Sequence, residues 1–169
     1  MMPRKNHRYY WPAIIIMVGI AIITYKFQTK KKPKNDISFS CTSEIQSSVD
    51  MYNKQWGLNG IIMINTYQNG ILTLSAKGKV NHEAQEYTIS RRLFFNFTSS
   101  DRHSGSFILR FINHKKNPDD NSPDNVDYIF FDAYQGIDNN YRIKQVNEKM
   151  VIFGDNFSPD FACIINNID

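Results

Sequence analysis

The two cysteines are the residues of this chain that could form a covalent bond with each other. The chain has 169 residues and two cysteines, Cys41 and Cys163, each on the apolar side of a predicted strand. If the sheet closes on itself, the first and last strands are neighbours and their sulfurs come within bonding range. A disulfide closing a loop of ~120 residues would stabilise the fold by at most about 4 kcal/mol. It would persist in an oxidising compartment such as the bacterial periplasm. The alternative is two reduced, buried thiols that pack as small hydrophobic groups.

Arg91 is the residue that could bind an anion, because it interrupts an apolar alternation. The apolar positions of this alternation are Tyr87, Ile89, Leu93, Phe95 and Phe97. A guanidinium that points into a core needs a negative partner. We therefore predict Arg91, Leu93 and Phe95 as ligand-binding residues, with Arg91 binding the carboxylate or sulfonate of an apolar ligand. The alternatives are a β-bulge at Arg91-Arg92 that turns the side chain to solvent, or an internal partner such as Glu86 or Asp132.

Signatures of catalysis and of metal binding are missing from the sequence. His82-Glu83 begins like a zinc-protease motif, but no histidine follows at the required position. The segment 119–124 has spaced oxygen ligands without the glycine and the final glutamate of a calcium loop, so we expect a solvated loop. The sequence also has neither a glycine-rich phosphate loop nor a nucleophile elbow. We expect a protein that is not an enzyme and that needs no cofactor and no metal.

The charges are segregated along the chain. Residues 1–35 contain eight Lys and Arg and no acid, so the rest of the chain holds 12 cations against 16 acids, a net of −4. Direct binding of nucleic acid is therefore not expected, since the basic residues lie in a tail beside an apolar run.

The uncharged stretch 9–25 is typical of a short membrane span with aromatic residues at both ends. We predict a tail at 1–8, a transmembrane helix at 9–27, a basic linker at 28–35 and a folded domain at 36–169. A cleaved signal peptide is the competing interpretation, but no small-x-small cleavage site follows the apolar run. Three Lys or Arg precede the span and five follow it closely, so the positive-inside rule alone would place the C-terminal side in the cytoplasm.

The domain that follows has the period of two that is typical of strands. Asn69-Gly70, between two such runs, is the strongest hairpin signal. A helix remains an alternative for 43–54, and 128–134 could be strand or helix. Seven to nine short strands predict a mainly β antiparallel barrel or sandwich, and a closed barrel would remove the exposed edges. Both faces of the runs at 61–64 and 161–165 are apolar, which suggests that a partner subunit covers the outside of the sheet.

With these features the chain resembles the FidL-like family of enterobacterial inner-membrane proteins. The resemblance covers nearly the whole length and depends on short motifs. They are Phe39-Ser-Cys41, Gly60, Asn69-Gly70, Gly78 and Phe161-Ala-Cys163.

The resemblance implies an N-terminal transmembrane helix, a cytoplasmic N-terminus and a lipocalin-like barrel in the periplasm. This orientation is opposite to the one that the positive-inside rule gives. It also implies a role like that of ToxS-like proteins, in which the domain forms a heterodimer with a ToxR-like membrane-bound DNA-binding regulator. The pair would share a cavity for a bile-salt-like or fatty-acid-like ligand. The alternative is a stand-alone, membrane-tethered ligand carrier or envelope-assembly factor.

Overall fold

The computed structural model describes residues 39–51, 53–101, 105–155 and 158–166, without the side chains of 99–101. The predicted tail, transmembrane helix at 9–27 and most of the region preceding the first strand lie outside the described residues. Within the described ranges, no helix combines the length and the apolar character that a membrane crossing requires.

Eight antiparallel strands form a closed barrel in which each strand pairs with the next and the last returns to the first. One short helix, α1, lies between the fifth and sixth strands. The elements are β1 Ser40–Met51, β2 Lys54–Thr66, β3 Ile71–His82, β4 Gln85–Asp101, β5 Ser106–Lys116, α1 Val126–Phe131, β6 Asp138–Asn147, β7 Met150–Gly154 and β8 Pro159–Asn166. The predicted mainly β antiparallel barrel is confirmed.

The period of two in the sequence becomes an inside and an outside of the barrel. On β2, Leu58, Ile62 and Ile64 are buried, whereas Ile61 and Met63 between them are exposed. On β4 the inward positions run from Ile89 through Leu93 to Phe97, as the alternation predicts. This arrangement places alternate side chains of each strand in one common core.

The two segments with open alternatives are now assigned. Residues 43–51 continue β1, so the helix alternative for this segment is wrong. Of the segment 128–134, residues 128–131 belong to α1, which ends at Phe131. Asp132, which follows the helix, has a positive φ of 50°. The Asn69-Gly70 turn joins β2 to β3, and Gly70 has a φ of 81°, a conformation that glycine adopts without strain.

The barrel closes through a short seam between β1 and β8. Three residue pairs join these strands, Ser40 with Asn166, Cys41 with Ile165 and Thr42 with Ile164. By contrast, β1 pairs with β2 along its whole length, from Ser40 to Met51. Cys41 and Cys163 form a disulfide beside the seam, with Cα atoms 5.5 Å apart, so the predicted bond between the first and last strands is confirmed.

Candidate functional site

An apolar cavity of about 370 Å³ lies inside the barrel and is partly open to solvent. Its walls come from all eight strands, from α1 and from Asp132 after it. The deep apolar side chains are Ile64, Leu72, Leu74, Phe95, Leu109, Ile129, Phe131 and Phe153. The volume falls in the range of pockets that hold small organic ligands.

The cavity is bordered by the part of β1 and the part of β8 that do not pair with each other. Ile45, Ser47 and Val49 line it from β1, and Pro159 and Phe161 line it from β8. The paired stretch ends at Thr42 and Ile164, so these lining residues lie beyond the hydrogen-bonded seam. The shortness of the seam therefore leaves room for the cavity between the two strands.

The polar groups on the cavity wall include two carboxylates. Asp132 and Asp160 line it together with Tyr141, whose hydroxyl donates a hydrogen bond of 3.0 Å to Asp132. Burial, together with the negative charges of Asp132 and Asp155, raises the pKa of Asp160 to about 6. Burial and the same acidic surroundings also raise the pKa of Tyr141. The acidic residues therefore give this part of the wall a negative potential.

Arg91 is buried, with 2% of its surface exposed, and it binds two carboxylates of its own chain. Its Nε and Nη2 donate to the two oxygens of Asp120 at 2.7 and 2.8 Å, and its Nη1 donates to Asp127 at 2.8 Å. Nη2 also donates to the carbonyl and the hydroxyl of Ser122. All three guanidinium nitrogens are thus engaged within the domain.

The hydrogen bonds of the Arg91 network favour the charged forms of Asp120 and Arg91. Although burial opposes ionisation of Asp120, hydrogen bonds from Arg91, the Ser90 N–H and Ser122 lower the pKa of this carboxyl to about 2. Burial disfavours the charged form of Arg91, yet its bonds to Asp120 and Asp127 raise its pKa. Through its hydrogen bonds to Asp120 and Asp127, Arg91 connects β4 to the segment before α1 and to α1 itself.

Of the two alternatives for Arg91, the structure shows the internal partners. These are Asp120 and Asp127; Glu86 instead pairs with Lys79 and Asp132 accepts from Tyr141. The register of β4 against β5 shifts between Phe94 and Phe95 and between Ser99 and Asp101, not at Arg91-Arg92.

The other two candidate ligand-binding residues are both buried but differ in position. Phe95 lines the cavity, whereas Leu93 is packed in the core without being part of the cavity wall. Among the described residues, no group of three His, Cys, Asp or Glu side chains is arranged to hold a metal ion.

Asp120, Asp127 and Asp160 are the site residues that sequence reasoning missed. Asp120 was expected in a solvated loop, and this is wrong, because its side chain is completely buried against Arg91. Its neighbour Asp124 is exposed and pairs with Lys116 at 2.6 Å. An inward arginine signals that a buried carboxylate exists, but the sequence contains 16 Asp and Glu from which to choose.

The outer face of the barrel carries an apolar row that crosses the seam. Met63 on β2 is directly opposite Thr42 on β1, which is directly opposite Ile164 on β8. Ile61, which lies on β2 two residues before Met63, is the third member of this row. Ile61, Met63 and Ile164 are 50%, 42% and 63% exposed.

The fold and the site define a closed eight-stranded β-barrel that has an apolar cavity and three large exposed apolar side chains, Ile61, Met63 and Ile164, beside its seam. The model of the family described as "FidL-like putative membrane protein" matches residues 78–163, slightly more than half of the chain, and the chain belongs to this family. The matched region runs from β3 to the second cysteine and contains the Arg91 network. Neither the curated proteins nor the solved structures contain a match to this chain.

Proposed function

We propose that this protein is a single-pass inner-membrane protein whose periplasmic barrel binds and stabilises a ToxR-like transmembrane transcription regulator. The N-terminus would lie in the cytoplasm, and the two periplasmic domains would share a cavity for a small amphipathic ligand. The function is binding rather than catalysis. Family membership supports the membrane location, and the Cys41–Cys163 bond supports an oxidising compartment.

The observation that carries this proposal is the outer apolar row of Ile61, Met63 and Ile164. Large apolar side chains exposed on β2 and β8, the two strands that flank β1, lose contact with water when a partner covers them, and each then contributes to association. The row crosses the seam and lies next to the disulfide, which holds the first and last strands together. A partner bound here would contact both strands that close the barrel and would therefore stabilise the closed form.

The unpaired part of the seam supports a shared cavity. Between Ser43 and Met51, β1 has a pairing partner on its β2 side, while its recorded pairing with β8 stops at Thr42. The cavity is bordered by this stretch. A partner segment seated along β1 would become part of the cavity wall, so that ligand binding and partner binding would favour each other.

Co-purification of the full-length chain from the membranes of its own host tests the proposal. Ile61→Glu combined with Ile164→Glu places two charges in the apolar row. The matched control is Ile137→Glu, since Ile137 is 49% exposed and lies outside the row. The wild type and the control should co-purify, in a one-to-one ratio, with a protein that has a DNA-binding domain and one membrane span. The double variant should lose this protein while keeping its thermal stability.

Retention of the regulator by the folded double variant would show that the row is not the interface. Failure of the wild type to retain any membrane-bound DNA-binding protein would contradict the proposed function itself.

The stand-alone ligand carrier is a second candidate because all eight strands and α1 of this one chain already line the cavity. A carrier would bind its ligand equally well with and without a partner protein. A shared cavity would bind it more tightly in the complex, so ligand titrations of the isolated chain and of the co-purified complex distinguish the two functions.

A further inference from the structure

We propose that the barrel cavity selects a ligand with an apolar body and a positively charged head group, such as an alkylammonium ion. This inference rests on the ligand cavity of the proposed function but is independent of the partner protein. It gives the ligand the opposite charge from the bile-salt-like or fatty-acid-like anion that the family resemblance implies.

The body of the ligand is constrained by the cavity wall. Leu72, Leu74 and Phe95 belong to the aliphatic and aromatic part of the wall, which donates no hydrogen bonds, whereas Gln46 and Ser47 on β1 and Tyr141 on β6 are polar; the cavity offers about 370 Å³. An unbranched or branched hydrocarbon that enters this space exchanges water for apolar contacts. A ligand with charges distributed along its length would lose hydration without recovering hydrogen bonds.

The sign of the head group follows from the charged side chains on the wall. Asp132, after α1, and Asp160, on β8, both line the cavity, and both are exposed enough to meet a head group at its opening. Asp155 adds negative charge nearby, because it contributes to the raised pKa of Asp160. Among the described residues that line the cavity there is no Lys, Arg or His. A cation placed between these carboxylates is attracted, and a carboxylate in the same position is repelled.

The buried arginine does not reverse this selectivity. Arg91 is the cation of the core, but its nitrogens donate to Asp120, Asp127 and Ser122, and it is not part of the cavity wall. Binding an anionic ligand there would require breaking bonds to two carboxylates that are themselves buried, which is strongly unfavourable.

Three ligands that share an octyl chain test the proposal: octylammonium, octanoate and octanol. Each is titrated by calorimetry into the full-length chain in nanodiscs of zwitterionic lipid at pH 7.5, with empty nanodiscs as the blank. Octylammonium should bind about tenfold more tightly than octanoate, with octanol between them, because attraction replaces repulsion at a partly exposed site. In Asp132→Asn combined with Asp160→Asn, the affinities for the three ligands should converge. Glu148→Gln, a single charge removal in the β6–β7 turn, should preserve the order.

A second variant separates the cavity from a merely acidic surface. Ile45→Trp fills the cavity from β1 and leaves both carboxylates in place, so it should abolish binding of all three ligands. Octylammonium binding that survives this substitution would assign the effect to surface charge and overturn the proposal. Octanoate binding as tight as that of octylammonium would overturn it, and so would the absence of binding by all three. None of these results depends on whether the regulator co-purifies.

Discussion

At the scale of single residues, Arg91 links parts of the chain that are distant in sequence. Asp120 and Asp127 are 29 and 36 residues away, and both carboxylates are buried against the guanidinium. Arg91→Met keeps the apolar length of the side chain but leaves two buried carboxylates without their partner. We expect this variant to lose about 3–5 kcal/mol of unfolding free energy, since breaking a buried pair leaves an uncompensated charge. Urea unfolding of the purified chain, followed by circular dichroism, measures the loss.

Arg92→Met is the matched control, because Arg92 is exposed and its recorded partner is the Ser75 hydroxyl at 3.2 Å. Its effect should stay within about 0.5 kcal/mol. Replacing Asp120 and Asp127 by Asn in the Arg91→Met background should restore part of the stability, as the unpaired charges are then removed. Equal stability of Arg91→Met and Arg92→Met would contradict a structural role for the network.

Asp160 should make the protein less stable as the pH rises. Its pKa is raised to about 6 in the folded state from the ordinary 3.8, so the folded protein holds the proton more tightly than the unfolded one. Between pH 4 and pH 6 folding therefore loses stability as Asp160 ionises. Burial and the negative charges of Asp132 and Asp155 oppose the ionisation of Asp160. The negative charge of Asp160 in turn contributes to the raised pKa of Tyr141.

Asp160→Asn should consequently melt at the wild-type temperature near pH 4 and at a higher temperature above pH 6. Thermal melts at several pH values give this difference. The control, Asp138→Asn, should show no such gain, because Asp138 is paired with Arg110 and its pKa is lowered. A constant difference between Asp160→Asn and wild type at every pH would refute the assignment.

The sequence placed Arg91 on the apolar phase of its strand, left a solvent-facing bulge open as an alternative and did not identify its partners, and the reason is physical. The inward position follows from a period of two, which is a local property of one strand. Asp120 and Asp127 lie in the irregular segment before α1 and in its first turn, where no period constrains the chain. The same limitation applies to Asp132 and Asp160, which come together only when β8 closes the barrel.

At the scale of elements, Gly60 and Gly78 determine how closely β2 approaches β3. The two residues face each other across the strands, and a Cβ atom on Gly60 would lie 2.4 Å from the Lys77 carbonyl oxygen. Backbone cannot move aside as a flexible side chain would. We expect Gly60→Ala to destabilise the domain by about 1–3 kcal/mol, as measured by urea unfolding.

Gly57→Ala is the matched control on the same strand, where the nearest contact of an added Cβ is 3.8 Å from the Asn81 Cβ. This substitution should be neutral or stabilise by about 0.5–1 kcal/mol, because alanine has less conformational freedom than glycine in the unfolded chain. If both alanine variants are equally stable, the close approach at Gly60 has no energetic consequence.

Prediction succeeded for elements whose pattern is local and repeated. The β2–β3 hairpin was predicted because Asn69-Gly70 supplies the positive φ that its turn requires. The sequence left α1 undecided between helix and strand because its six residues make fewer than two helical turns. So short a segment does not distinguish the hydrophobic pattern of a helix from that of a buried strand. The length of the seam was also beyond sequence reasoning, since neither β1 nor β8 contains a signal for where their pairing stops.

At the scale of the whole molecule, the disulfide compensates for the short seam. It links residues 122 apart and lies beside the three pairs that close the barrel. Constraining so long a loop lowers the entropy of the unfolded chain by an amount worth about 4 kcal/mol. Reduction should lower the unfolding free energy by about that amount. Reduction should also accelerate hydrogen exchange in β8 more than in the other strands, because only three pairs of the described residues join β8 to β1.

The variant Cys41→Ala combined with Cys163→Ala should behave like the reduced wild type and should not respond to reductant. Identical unfolding curves for the oxidised and reduced wild type would mean that the three backbone pairs suffice to close the barrel.

The compartment in which the barrel folds decides whether this bond forms at all. Five lysines follow the uncharged stretch 9–25 against three Lys or Arg before it, which by charge alone would keep the domain in the cytosol, where thiols stay reduced. The confirmed pairing of Cys41 with Cys163 favours export, since it supplies stability only when oxidised. We therefore expect alkaline phosphatase fused after Asp169 to be active and a fluorescent protein at the same position to remain dark. The cysteines should resist alkylation in intact cells until a reductant is added. An inactive phosphatase with a fluorescent counterpart would place the barrel in the cytosol, where a regulator's periplasmic domain could not reach it.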